Sequence, residues 1–500
     1  MAEMREQFTS RWGLILAAIG MAVGTGNVWR FPRIFATNEG GTFLIPWLIF
    51  LFIWSIPLLI LEMGMGKKTR KGLVGTFSEL IGERFAWMGG FVAVVTTMIM
   101  FYYSVVAGWC LRYFISALTG GLKNMIDPVV AQQAFESFAT SGWALPFHML
   151  AIGTCALIVY RGVVGGIERA NRILIPILAI MLVIAALRAL TLPGAHKGLQ
   201  FMFHIDWSTL GDYRIWLEGL TQSAWSTGAG WGLLLTYAVY TRDKEDTVTN
   251  CLVVGLGNNS MSLLAALAVI PTVFASFPTF QEAFDVATFS GPAATGLTFV
   301  WIPILFGKLP FGQFFSAVFF LALSAAALSS LIAMVELATR ILIDFGIHRQ
   351  KAIKMVFAAG LLGGVPSALS LSFFVNQDWV WGLGLMVSGG IFAFAALRYG
   401  LGRVRSELVN LPGNEIHLGG WFNGLIGVLV PAEFTVLILW WAIRSFGWVE
   451  KWWNPFSSES LGTCLFQWTI VIIVLIALNN RMAARVRTVG DMPALQEGGA

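Results

Sequence analysis

Charge is scarce in this sequence. Lysine, arginine, aspartate and glutamate make up only 12% of its 500 residues, roughly half of what soluble chains carry. HExxH, GxSxG, a phosphate-binding glycine loop and facing catalytic carboxylates are all missing, which leaves an intramembrane enzyme with no motif to rest on. The four cysteines, Cys110, Cys155, Cys251 and Cys464, form no CxxC or Cys/His spacing, so they read as buried free thiols. Met1 to Ser10 is polar, and the first apolar segment is too long and glycine-broken for an h-region. No cleavable signal peptide is expected.

What is present is apolar surface: 57% of the residues are hydrophobic and the mean hydropathy is +0.74. Runs of about 20 apolar residues, enough to cross a bilayer, recur along the chain. A barrel would instead alternate polar and apolar over about 10 residues. The expected fold class is an all-α membrane protein of twelve spans near 11–36, 42–66, 88–118, 144–161, 168–190, 215–240, 247–275, 312–342, 352–373, 379–397, 422–446 and 462–480.

The pI of 9.1 reflects loop charge rather than a nucleic-acid partner. About 22 of the 32 lysines and arginines fall on one set of short loops, including Lys67–Lys71, Arg161 to Arg172 and Arg481 to Arg487. That side is therefore cytoplasmic. An even number of spans puts both termini there too, in a plasma (bacterial inner) membrane. Two longer connections, 191–214 and 276–311, lie outside, and the second is too proline-broken to span.

Two spans are interrupted. The first reads GMAVGTGNVWRFP from Gly20 to Pro32, and the sixth reads QSAWSTGAGWG from Gln222 to Gly232. Glycines in membrane helices often serve close packing at a spacing of four. Here they alternate, Gly-x-Gly-x-Gly, and do so twice. Five spans separate the breaks, so the two halves enter the membrane from opposite sides. This is the pattern of an inverted 5+5 repeat with helices 1 and 6 unwound at the midplane around a transport site. The chain then reads as one transporter domain: 11–190 and 215–397 as repeats, with 422–480 as two added helices.

An unwound helix in lipid strands N–H and C=O groups at several kcal/mol apiece unless something satisfies them. Freed carbonyls suit a small hard cation such as Na⁺. The N–H groups opening the second half-helix suit a carboxylate. The breaks alone thus point to a zwitterionic or anionic substrate beside a cation.

GMAVGTGNVWRFP, NEGGTFLIPW (38–47), GGIERANRILIP (165–176) and QSAWSTGAGWGLLLTYAVY (222–240) resemble the neurotransmitter:sodium symporter family, its bacterial amino-acid members above all. The match covers essentially all twelve spans. The resemblance implies two sodium sites. The first takes the Ala22 carbonyl, Asn27, Ser226 and Asn258, completed by the substrate carboxylate. The second takes carbonyls of Gly20, Val23 and Ala326 with the hydroxyls of Ser329 and Ser330. That register also puts Asp344 where the family keeps an intracellular aspartate. The alternative role for the two serines is bonding to carbonyls one turn back.

The resemblance further implies a substrate pocket of Ala22, Thr25, Gly26, Ile99, Tyr103, Trp225, Ser226, Gly228, Ala229, Trp231, Ser330 and Met334. The Tyr103 hydroxyl would meet the carboxylate. Gly24 stands where amine carriers hold an acid, so a neutral α-amino acid is expected. Met21, Thr25 and the two tryptophans depart from the usual residues, and side-chain size stays open. Arg30 would face Asp378 in an outer gate, and Arg5 would face Asp344 in an inner one. Snorkelling and positive-inside placement are the plain alternatives for Arg30 and Arg5. Glu62 would support the unwound sixth span, while Glu336 and Glu433 have no evident partner.

Gln222, Ser226, Asn258 and Ser262 share faces one turn apart and match the chloride ligands of chloride-dependent relatives. Trp47 stands where a tyrosine ligand is usual, so chloride use stays open. A sodium-independent permease of the same architecture remains the alternative function. The substrate's identity, ion stoichiometry and oligomeric state are not legible.

Overall fold

The computed structural model describes residues 6–123, 125–447 and 449–491, with side chains to 487. Helices and short turns account for every regular element among them. Nine helices are long and apolar enough to cross a membrane: Gly40–Thr69, Glu83–Thr119, Val163–Leu190, Val248–Ser276, Gly312–Asp344, Arg349–Leu369, Leu371–Tyr399, Trp421–Ser445 and Leu461–Arg487. Two bent pairs raise the number to eleven. They are Arg11–Ala22 with Gly26–Thr37, at 54°, and Pro128–Ala139 with Ala144–Tyr160, at 66°. The first half of the second pair was not expected from sequence. Asp127 caps it by accepting from the N–H groups of Val129 and Val130, and Pro128 opens it.

The helices are layered by how much apolar surface they hide. The Gly312–Asp344 helix is the most enclosed, with 89% of its most apolar window buried, whereas Leu461–Arg487 hides only 17%. Gly312–Asp344 packs on Glu83–Thr119, Val163–Leu190 and Arg11–Ala22, and these surround the broken segments. The last two helices ride on the outside with their leucines and isoleucines exposed, as lipid-facing surfaces do.

The first helix starts where the Ser10 side chain accepts from the Gly13 N–H, and it stops at Val23, whose backbone turns extended (φ −79°, ψ 91°). Gly20 lies inside this helix, so the break is Val23–Thr25, shorter than the glycine pattern suggests. In the sixth span, Tyr213–Ser226 stops and Leu233–Ala238 resumes. Between them Gly228, Gly230 and Gly232 take φ of +71°, +85° and +77°, a region where a Cβ is strained.

The backbone groups released there are satisfied. The Gly230 N–H donates to Glu62 Oε1 at 2.6 Å and the Leu235 N–H to Oε2 at 3.3 Å. The Thr96 hydroxyl donates to the Trp231 carbonyl at 2.8 Å. Glu62 thus does what its place in the sequence implied.

Candidate functional site

Both breaks open on one cavity of about 260 Å³. Its inner wall holds Ala22, Thr25, Gly26, Ile99, Tyr103, Trp225, Ser226, Gly228, Trp231, Ser330 and Met334. The structure therefore brings all but one of the expected pocket residues into one chamber. Ala229 is buried but off the wall.

The Tyr103 hydroxyl accepts from the Thr25 N–H at 2.9 Å and lies 3.2 Å from the Thr25 hydroxyl. A Cβ on Gly24 would come within 2.9 Å of that hydroxyl and 3.1 Å of Ser330 Oγ. The tyrosine thus occupies the space an acid at position 24 would need. Nothing lies within 4 Å of a Cβ built on Gly26, so the chamber is open above it.

Two oxygen clusters flank the chamber. In the first, Asn27 Nδ2 donates to Asn258 Oδ1 (2.8 Å), Ser226 Oγ (3.0 Å) and Ser262 Oγ (2.7 Å). One end of the Asn258 carboxamide lies 2.9 Å from the Ser226 carbonyl and 3.1 Å from the Ala22 carbonyl. With its oxygen there, three acceptors converge with no proton between them, which a cation relieves. With its nitrogen there, it donates to both carbonyls.

Asn27 differs from expectation in orientation. Its Oδ1 accepts from the Gly24 N–H at 3.0 Å and its nitrogen enters the cluster. The reason is local: the cluster is rich in acceptors, and Nδ2 is the donor within reach. A half-turn of the carboxamide exchanges the two ends.

In the second cluster the Ser330 hydroxyl crosses to the first span, 3.2 Å from the Gly20 carbonyl and 3.5 Å from that of Val23. Ser329 Oγ donates to the Ala326 carbonyl at 3.0 Å. Ser329 thus makes the bond one turn back, whereas Ser330 does not. Ser330 thus joins the first span at the Gly20 and Val23 carbonyls, whereas Ser329 and Ala326 are bonded to each other on their own helix.

Outward of Trp225 the wall carries Arg30, Arg33, Asp378 and Glu459. The Arg30 guanidinium rests 4.6 Å over the Trp225 ring, so it is held inward rather than drawn out to an interface. Among the described residues, Arg30 and Asp378 make no ion pair within 4 Å. A Cβ on Gly382 would lie 1.9 Å from Trp225 Cη2, so the tip of the indole rests on the backbone of Leu371–Tyr399. Ala293 and Ala294, from the long outer connection, complete the mouth.

At the end of the Gly312–Asp344 helix, Asp344 pairs with Arg340 at 2.9 Å and accepts from the Gly72 N–H. Arg5 lies outside the described residues. Glu336, which had no evident partner, is fully enclosed and bidentate to Arg349 at 2.9 and 2.7 Å, with the Tyr240 hydroxyl at 2.6 Å. Both oxygens of Glu433 are buried without a hydrogen-bond partner.

Of the groups expected near chloride, the Trp47 indole N–H and Gln222 Oε1 are also buried without a hydrogen-bond partner among the described residues. The four cysteines are free and buried. Among the described residues no group of His, Cys, Asp and Glu suits a metal held by such ligands.

Sequence reasoning missed Arg33, Tyr102, Val106 and Glu459 on the wall. Arg33 was findable, since it stands one turn beyond Arg30. Glu459 arrives from a distant loop and carries no local signal.

The sequence profile of the Sodium:neurotransmitter symporter family matches residues 5–127 and 129–484. An uncharacterized sodium-dependent transporter of Methanocaldococcus jannaschii is 33% identical over 461 residues, covering 87% of this chain and 90% of its own length. A sodium- and chloride-dependent taurine transporter of Homo sapiens is 25% identical over 442 residues, covering 79% of this chain and 68% of its own. Among solved structures, MhsT in complex with L-phenylalanine superposes with a TM-score of 0.76 at 29% identity, covering 87% of this chain and 99% of that one.

Proposed function

The chain belongs to the sodium:neurotransmitter symporter family, and on that premise we propose that it imports a neutral amino acid together with Na⁺ by alternating access. It is a multi-pass membrane transporter and not an enzyme. In this reading twelve spans form two inverted halves, 11–190 and 215–397, with 422–480 added and both termini cytoplasmic.

The observation that supports the reading is that both breaks open on one cavity, whose wall includes Ala22, Asn27 and Ser226 of the first oxygen cluster and Ser330 of the second. Ala22, Asn27, Ser226 and Asn258 would hold the first sodium, in reach of a substrate carboxylate bound at Thr25, Gly26 and Tyr103. Gly20, Val23, Ala326, Ser329 and Ser330 would hold the second. These are neutral oxygens, which suit Na⁺, and the shared carboxylate couples ion to substrate. Arg30 and Asp378 would close above Trp225, and Arg5 and Asp344 would close below.

The side-chain end of the chamber is walled by Met21, Ile99, Trp231 and Met334, an apolar surface with two thioethers that pack well on rings. An apolar side chain follows. L-Phenylalanine, the ligand in the MhsT structure, is the first probe. Thermal stabilisation of the purified protein by each standard amino acid, in NaCl and in choline chloride, tests this reading. Stabilisation by an apolar amino acid only with sodium is expected. Equal stabilisation in choline favours a sodium-independent permease.

Chloride is a second reading, supported by the Trp47 indole N–H, buried without a hydrogen-bond partner among the described residues, and by the neutral Gln222, Ser226, Asn258 and Ser262 set. Uptake that is unchanged when gluconate replaces chloride removes it.

A further inference from the structure

The mouth of the cavity carries more charge than one gating pair requires. Arg33 lies one turn beyond Arg30, and both line the wall. Each has a buried Nε without a hydrogen-bond partner. The same cavity wall carries two acids, Asp378 and Glu459. Among the described residues, none of these four enters an ion pair within 4 Å.

Glu459 comes from the loop that enters the last helix, yet it is not loosely placed. Asn376 Nδ2 donates to the Ser458 carbonyl (3.0 Å) and to Thr463 Oγ1 (3.1 Å), and its Oδ1 accepts from Gln467 (2.9 Å). Ser460 caps the helix by accepting from the Thr463 N–H at 3.0 Å. This clasp ties 458–463 to a residue two positions before Asp378. The two carboxylates are therefore presented to the cavity from one fixed unit, while both arginines ride on the first span. Glu459 is solvent-exposed at the rim, and Asp378 is the deeper acid.

We infer that Glu459 is a second acidic member of the outer gate, pairing with Arg33 in a layer above Arg30 and Asp378 when the mouth closes. The inference rests on the reading of Arg30 and Asp378 as that gate. Like charges on each side keep the two layers apart when the mouth is open, and closing neutralises all four. Glu218 is the competing partner, because it faces Arg33, Arg30 and Arg444 from the sixth span.

The test uses the full-length protein in proteoliposomes, with a reporter cysteine at Val106 on the cavity wall. A membrane-impermeant thiol reagent reads how open the mouth is in NaCl with L-phenylalanine. Glu459→Gln and Arg33→Gln are each expected to speed labelling about three- to fivefold, as exposed ion pairs of this size do. The double variant is expected to go no further, and the swap Glu459→Arg with Arg33→Glu should restore slow labelling.

Normal labelling in Glu459→Gln, or faster labelling only in Glu218→Gln, overturns the pairing. Arg30→Gln and Asp378→Asn serve as the control. If they speed labelling and Glu459→Gln does not, the second layer is wrong and the gate stands. If they too leave it unchanged, the gate itself is wrong and the second layer falls with it.

Discussion

Ser330 Oγ lies 3.2 Å from the carbonyl oxygen of Gly20, joining two helices that are 310 residues apart in sequence. A serine in a helix ordinarily bonds to its own backbone, as Ser329 does. Ser330 faces the broken first span instead. Ser330→Ala should raise the sodium concentration for half-maximal substrate binding about tenfold, the scale of one lost oxygen partner near a charge. A sodium titration of tryptophan fluorescence checks this, and Ser329→Ala should weaken sodium less.

Glu62 accepts from the N–H of Gly230, inside the sixth-span break, and from that of Leu235, in the helix that resumes after it. Glu62→Ala leaves those groups buried and unpaired, at about 1–3 kcal/mol each. Glu62→Gln keeps one acceptor and should cost less. Thermal unfolding in detergent should rank wild type above Gln and Gln above Ala, with substrate binding lost in the alanine variant.

Glu336, Arg349 and Tyr240 form an enclosed network near the end of the Gly312–Asp344 helix. Glu336→Leu leaves the Arg349 guanidinium, 18% exposed, without its counter-charge. Breaking one side of a buried pair costs about 3–5 kcal/mol. A lowered unfolding temperature is expected, and Arg349→Met in the same chain should recover part of it.

Gly382 has no room for a side chain beneath the Trp225 indole. Gly382→Ala pushes the ring by more than a bond length, an overpacking of about 1–3 kcal/mol. Arg30, stacked on that ring, moves with it. Bound substrate should dissociate about tenfold faster, as followed by dilution of labelled L-phenylalanine, while expression stays close to normal.

Much of this was legible in the sequence because lipid imposes blunt rules. Apolar runs marked most spans, and alternating glycines marked both breaks; in the sixth span they take positive φ, +71° at Gly228, which glycine adopts far more readily than other residues. Of the residues the resemblance places in the pocket, all but Ala229 line one cavity. Four things were not legible.

The helix Pro128–Ala139 is short and one-third polar, so it lacks a span's signature. The partners of Glu336 come from the sixth-span end and the ninth span, so pairing them needed tertiary structure. Glu459 is set by the Asn376 clasp, a contact across some 80 residues of chain that no local pattern encodes. The orientation of Asn27 was also beyond sequence, because it follows from a balance of donors and acceptors contributed by three separate helices.

Uptake of labelled L-phenylalanine and other apolar amino acids into proteoliposomes, with an inward gradient of NaCl or of choline chloride, tests sodium coupling most directly. Accumulation above the equilibrium level with NaCl, abolished in choline and in Asn27→Ala, is the expected result. Accumulation of equal size in choline would contradict it.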